Sequence, residues 1–215
     1  MTVVQQSSAS VRDPRKWTLF AIMGLLVLGV LYTDERFLVD STDEEWAHIA
    51  PFRWWLLVHG VAGAIALAIG PFQFSTSLRR SHVALHRLLG RIYIGAICVA
   101  APLGIYIGNH WSGSDASMIE NLAQGGGWFL CAALAFVFAV KRNIPLHRQW
   151  VARSYAFTFV FILARTPHLV GWHWPSSEIA ATYRWFLVVG ALIVPDLILN
   201  WDALIGRRTR AAAGN

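Results

Sequence analysis

Six apolar segments, at about 17–32, 53–76, 88–109, 122–140, 150–172 and 184–204, follow one another along the chain with only short polar turns between most of them. A helix that crosses a bilayer needs about 20 mostly apolar residues, because the hydrocarbon core is ~30 Å thick and a helix rises ~1.5 Å per residue. The expected fold is therefore an all-α integral membrane protein with six transmembrane helices at 17–204, a cytoplasmic tail at 1–16 and a basic cytoplasmic tail at 205–215. The first segment follows Arg12, Arg15 and Lys16 in the manner of a signal peptide. Leu31-Tyr32-Thr33-Asp34 offers no small-residue cleavage site, so it reads as an uncleaved anchor.

Composition closes off the other classes. Charged residues make up 14% of the chain and hydrophobic ones 56%, against ~25% charged in a soluble domain, which leaves too little polar surface to enclose a water-soluble core. A mean hydropathy of +0.48 excludes disorder. Two cysteines exclude a disulfide scaffold or a cysteine-built metal centre, and Cys98 and Cys131, both inside apolar segments, are expected as free thiols. The net charge of +6 sits in short runs between apolar segments and not on one face, which argues against nucleic acid.

Those runs alternate. Arg12, Arg15 and Lys16, then Arg79, Arg80, Arg87 and Arg91, then Lys141, Arg142, Arg148 and Arg153, and finally Arg207, Arg208 and Arg210 fall on one side, 14 of the 18 basic residues. The opposite connections carry nine acidic residues, Glu120 and Glu178 among them, with only Arg36, Arg53 and Arg184 in reply. Cytoplasmic flanks are rich in Lys and Arg, so both termini are expected inside the inner (plasma) membrane. Trp54, Trp55, Trp111, Trp172, Trp174 and Trp185 fall at expected outer ends, and Trp150 and Trp201 near inner ones, as an aromatic belt requires.

Two segments carry polar stripes. In the second, His59, Gly63, Ala66, Gly70, Gln73 and Ser77 share one helical face; close helix packing explains the small residues, while His59 beside glycine suggests a flat slot next to a metal ligand. In the fifth, His147, Ser154, Thr158, Phe161, Arg165, His168 and Trp172 follow one stripe. An intramembrane arginine such as Arg165 is too costly to face lipid. Asp196 in the sixth segment calls for a partner, Arg153 or Arg91, since an unpaired buried carboxylate would protonate. Leu85-His86-Arg87 before Arg91 and Tyr93 is echoed by Leu146-His147-Arg148 before Arg153 and Tyr155, a weak internal repeat. Head-group snorkelling and topology account for Arg79, Arg80, Lys141 and Arg142, but histidine is mostly neutral and a poor topology signal.

His59, Gly70-Pro71-Phe72-Gln73-Phe74, Leu85-His86-Arg87-Leu88-Leu89-Gly90-Arg91-Ile92-Tyr93, the run from His147 to Thr158, and Arg165 together resemble the bacterial predicted-membrane-protein family catalogued as domain of unknown function 2306. The resemblance covers roughly 53–166. It implies a shared constellation of His59, His86, His147, Arg153 and Arg165, and it names no reaction.

Residue types then suggest a b-type haem redox protein. Haem in a helical bundle needs axial histidines at one depth, small residues beside the ring and basic groups for the propionates. His59 and His168 form one candidate pair near the outer belt; His86 and His147 form another at the inner edge, with Arg87, Arg91, Arg148 and Arg153 for propionates. His147 and His168 are 21 residues apart, ~31 Å along a helix, which is the whole hydrocarbon core. At most one haem is therefore buried, and the inner His/Arg set is left to hold propionate, quinone or a lipid head group. The alternatives are a proton-coupled transporter or channel lined by Arg165, His59, His168, Asp196, Ser154 and Thr158, and a non-catalytic accessory subunit of a larger membrane complex. No nucleophile elbow, phosphate loop or H-E-x-x-H motif marks an enzyme.

Overall fold

A computed structural model describes residues 14–34, Thr42, Trp46, 50–111 and 115–204; the rest of the acidic loop, with its His48, and both terminal tails lie outside the described residues. Within them all regular structure is helical. The order is α1 (Pro14–Asp34), α2 (Arg53–Gln73), a short α3 (Thr76–Ser81), α4 (Val83–Trp111), α5 (Asp115–Val140), α6 (Ile144–Arg165), a 3-10 turn (Thr166–Val170), α7 (Ser177–Leu199) and a single-turn α8 (Trp201–Leu204). Helix α2 lies along α4, α4 along α5, α5 along α6 and α6 along α7; α1 packs on α6 and the 3-10 turn.

Local chemistry sets the ends. Ser75, Asn143 and Ser176 each accept a hydrogen bond from a backbone N–H in the first turn of α3, α6 and α7, satisfying donors that a helix start leaves open. Helix α6 stops at Arg165 because Pro167 has no N–H for the Leu163 carbonyl, which accepts from the Thr166 and Tyr183 hydroxyls instead. The chain tightens into the 3-10 turn and leaves through Gly171 at φ 69°. This corrects the expected 150–172 segment: the helical stripe does not run on to His168 and Trp172. The other segments begin earlier than hydropathy suggested, α4 at Val83, α5 at Asp115 and α7 at Ser177, because polar first turns remain helical.

The bundle is inside-out in size. Ala66, Ala96, Ala100, Ala101, Ala132 and Ala135 fill buried positions, while Leu25, Leu57, Ile119, Leu130, Phe186 and Ile198 are exposed. In water such a surface would be an aggregation hazard. In lipid it is the expected arrangement, since large apolar side chains lose nothing by facing tails and small ones let backbones approach. Gly70 shows the closeness: a Cβ there would stand 2.2 Å from the Tyr155 ring. Gly70 thus lets α2 meet α6, while His59 and Gln73 of the same stripe lie against α4.

Four helices, α2, α4, α5 and α7, are long and apolar enough to cross a membrane. Helix α1 contributes the shorter apolar stretch Phe20–Val30. Helix α6 is less apolar because it is surrounded by protein: Phe157, Thr158, Phe159 and Val160 are all buried in succession, so it hides its whole circumference there. Cys98 and Cys131 are free thiols, the first on the bundle surface and the second in its core.

Candidate functional site

Three polar clusters lie at different heights of the bundle. The first is at the end that carries α3. Gln73 closes α2 and is buried at 7% exposure, its amide lying against Gly90, where a Cβ would stand 3.2 Å from Oε1. The following turn lets α3 hold Arg79 beneath the bundle. His147 and Arg148 enter from the first turns of α6, and a cavity of about 60 Å³, the volume of about two waters, lies between them. Gln73, Arg79, His147 and Arg148 supply its polar wall; Phe74, Val151 and Leu199 supply the apolar one.

The electrostatics of this cavity are one-sided. Its charged lining, among the described residues, is cationic only. Burial, then the neighbouring Arg148 and Arg80 guanidiniums, hold Arg79 below its usual value, though a guanidinium starts so high that it remains charged. The start of α6 adds the positive end of a helix dipole. Hydrogen bonding is equally unbalanced: Gln73 Nε2 is a buried donor with no partner, and Nδ1 of His86, which stands within electrostatic reach of Arg79, Arg87 and His147, is a buried ring nitrogen with none. His147 Nδ1 lies 2.8 Å from the Ala135 carbonyl. A carbonyl only accepts, so Nδ1 carries the proton and neutral His147 keeps its lone pair on Nε2.

The second cluster is mid-bundle and fully satisfied. Trp128 Nε1 donates to Thr158 Oγ1 (2.9 Å), and Thr158 donates to the Ser154 carbonyl (3.0 Å). With that hydrogen committed, the Tyr93 hydroxyl donates to Thr158 (3.1 Å) and Ser154 donates to Tyr93 (3.0 Å). The chain of donors runs one way. Ser154 and Thr158 are locked into a structural network and offer no spare hydrogen to a passing solute.

The third cluster lies toward the opposite end and escaped sequence reasoning. Glu120 has no exposed surface; its Oε2 accepts from Arg184 Nε at 2.6 Å, and Arg184 Nη2 also reaches Ser117 Oγ at 3.4 Å. Both residues had been assigned to outer connections. Asp115, Ser117, Glu120 and Asn121 depress hydropathy so far that the start of α5 was set at 122, two turns late. Ser117 and Glu120, three residues apart, share the face that meets α7, which is the signal that was available.

The remaining sequence candidates are dispersed. Arg153 pairs with Asp196, as one of the two expected partners, donates to the Leu192 carbonyl at 3.3 Å and lies over Trp150. Arg165 ends α6, half-buried, its guanidinium 3.8 Å from the Phe161 ring centroid. His59 donates from Nδ1 to the Ala100 carbonyl at 2.8 Å and lies over Gly104, while Gly63 faces open space. His168 is exposed on the 3-10 turn, past the helix that was to match its depth to His59. Arg87 and Arg91 are exposed on α4. Arg79 and Gln73 are the cavity residues that sequence had left to topology and to packing. Among the described residues, no three His, Cys, Asp or Glu side chains come together as a metal cage.

Neither the curated proteins nor the solved structures contain a match to this chain. A family model does match residues 56–201, which span from the second turn of α2 to the start of α8 and take in all three polar clusters. The chain belongs to the family described as predicted membrane protein (DUF2306).

Proposed function

We propose that the chain crosses the inner membrane six times with both termini cytoplasmic, and that its α3-end cavity binds the anionic head group of a membrane amphiphile at the cytoplasmic face. The observation that carries this reading is the lining itself: Arg79 and Arg148 with an unpartnered buried Gln73 donor, and no carboxylate among the described lining residues. Phe74 and Leu199 line the cavity and are also exposed on the bundle surface, which gives an attached tail a way out into lipid. A quinone would use the donors but leave both charges uncompensated. α1 and α6 complete the six spans; the 22 residues of α6 extend ~33 Å, enough to cross.

Thermal unfolding in micelles doped with phosphatidylglycerol or phosphatidylcholine tests the site. A ligand at 100 times its Kd stabilises by about 2.7 kcal/mol, so the anionic lipid is expected to raise Tm, and Arg79→Gln or Arg148→Gln to remove the rise. Equal shifts with the two lipids would sink the reading. Labelling of single cysteines placed at 1–13, 35–49 and 205–215 tests orientation; modification of either tail from outside intact cells reverses it.

A haem reading keeps support from one feature. His59 and His147 each commit Nδ1 to a backbone carbonyl, the arrangement that orients a metal-bound imidazole and presents Nε2. His59 has open space beside Gly63; His147 has Arg79 and Arg148 at hand for propionates. Protein purified with haem supplied is expected, on this reading, to show a low-spin b-type spectrum that His59→Ala or His147→Ala abolishes and His110→Ala or His173→Ala does not. A colourless, folded wild type removes it.

A further inference from the structure

The shape and charge of the α3-end cavity select among anionic head groups, and this step rests on the head-group reading above. Two guanidiniums face the space, with no acidic side chain among the described lining residues. A phosphodiester brings one negative charge against two guanidiniums, Arg79 half-buried and Arg148 exposed. A terminal phosphate brings up to two, its second ionisation falling near pH ~6. Donor geometry points the same way. Arg79 and Arg148 each present a fork of N–H groups, and Gln73 Nε2 adds a buried donor that has no other partner; three terminal oxygens can use three such donors, whereas a diester has two non-bridging oxygens. Size does not oppose charge: the cavity of about 60 Å³ has room for a compact oxyanion.

We infer that the cavity formed by Gln73, Arg79, His147 and Arg148 is a phosphomonoester site, selective for a terminal phosphate dianion over a phosphodiester. His147, its Nδ1 held by the Ala135 carbonyl, lines the site and leaves Nε2 for the ligand. Phe74 and Leu199 take the first part of the tail.

The test uses full-length protein in nanodiscs at pH 8 with four probes: phosphatidate, phosphatidylglycerol, inorganic phosphate and glycerol 3-phosphate, the last two added to phosphatidylcholine discs. The expected result is at least tenfold tighter association with phosphatidate than with phosphatidylglycerol at equal mole fraction, the ratio shrinking as pH falls toward 6. Equal affinity for the two lipids overturns the monoester inference and leaves the head-group reading standing. Association no better than with phosphatidylcholine overturns both. Inorganic phosphate or glycerol 3-phosphate binding as tightly as phosphatidate upholds the phosphate chemistry but overturns the amphiphile. Gln73→Met is the decisive variant: it removes an orphan buried donor, which a fold tolerates well, so a preference that falls to less than threefold in a protein of unchanged Tm confirms Gln73 as a ligand. Retention of the full preference in Gln73→Met with Arg148→Gln places the site elsewhere.

Discussion

The two ends of the bundle treat charge in opposite ways. Toward the α5 start, Glu120 has no exposed surface and is met by Arg184 and the Ser117 environment, so the charge is compensated within the protein. At the α3 end, Arg79 and Arg148 share a cavity with no carboxylate among the described lining residues, and Gln73 and His86 hold buried nitrogens without partners. One end pairs its buried charge within the protein through Glu120 Oε2, while Oε1 has no hydrogen-bond partner. The other gathers guanidiniums with no acidic side chain among the described lining residues, and the head-group proposal rests on it. The difference separates charges that hold helices together from charges that hold something else, which net charge and topology rules cannot do.

The largest expected effect comes from breaking the paired end. Arg184→Ala strands a fully buried carboxylate, and removing one partner of a buried pair costs about 3–5 kcal/mol; thermal unfolding in detergent should show the lowest Tm of any single variant here. Replacing both Glu120 and Arg184 with Leu should recover most of the loss, because no unpaired charge remains. A double variant as unstable as Arg184→Ala would show that the pair is not the source of the effect.

Between the ends, Tyr93→Phe is expected to cost about 1–2 kcal/mol. It removes the acceptor of the Ser154 hydroxyl, while Thr158 keeps Trp128 and the Ser154 carbonyl. The Trp128 indole therefore stays bonded, and its fluorescence maximum should not move; a red shift would mean that the network collapses as a unit.

Backbone geometry at the two ends gives a smaller contrast. Gly171 leaves the 3-10 turn at φ 69°, and Arg142 joins α5 to α6 at φ 57°. Left-handed backbone is disfavoured for a residue with Cβ by about 1–2 kcal/mol, partly offset by the freedom glycine loses on folding. Arg142→Gly is expected to stabilise by about 0.5 kcal/mol and Gly171→Ala to destabilise by about 1 kcal/mol. A Tm lowered by Arg142→Gly, or raised by Gly171→Ala, would break the assignment of that turn.

Much of this was legible in the sequence because apolar length is a direct physical requirement of lipid. The helical class, the four long apolar helices, the free cysteines and the Arg153–Asp196 pair follow from hydropathy and the cost of unpaired charge. What was not legible follows from the same measure. Hydropathy averages over a turn or more, so the polar start of α5 hid Glu120 inside a helix, and a stripe drawn by period alone ran through Pro167 to His168. Arg79 looked like its neighbour Arg80 because both sit in one basic run; only the fold of α3 turns one toward the cavity and leaves the other exposed. Gln73 shared a stripe with glycine and alanine, and nothing in spacing shows that its amide has no partner.

The smallest effect is also the sharpest test of the comparison, because it asks whether the charges of the cationic end matter to the fold at all. Arg148 is exposed and Arg79 half-buried, and they repel, so Arg148→Gln in ligand-free detergent should change stability by no more than about 0.5 kcal/mol, and in the stabilising direction. Salt supplies an independent handle. The screening length falls from ~10 Å at 0.1 M to ~3 Å at 1 M, which reaches guanidiniums at the cavity mouth but not Glu120, sealed within the bundle. Wild-type Tm should therefore rise slightly with salt as the Arg79–Arg148 repulsion is screened, and Arg148→Gln should lose that rise. If the variant is instead clearly less stable and its salt response runs downward, Arg148 has a carboxylate partner in the folded protein, and the two ends are alike after all.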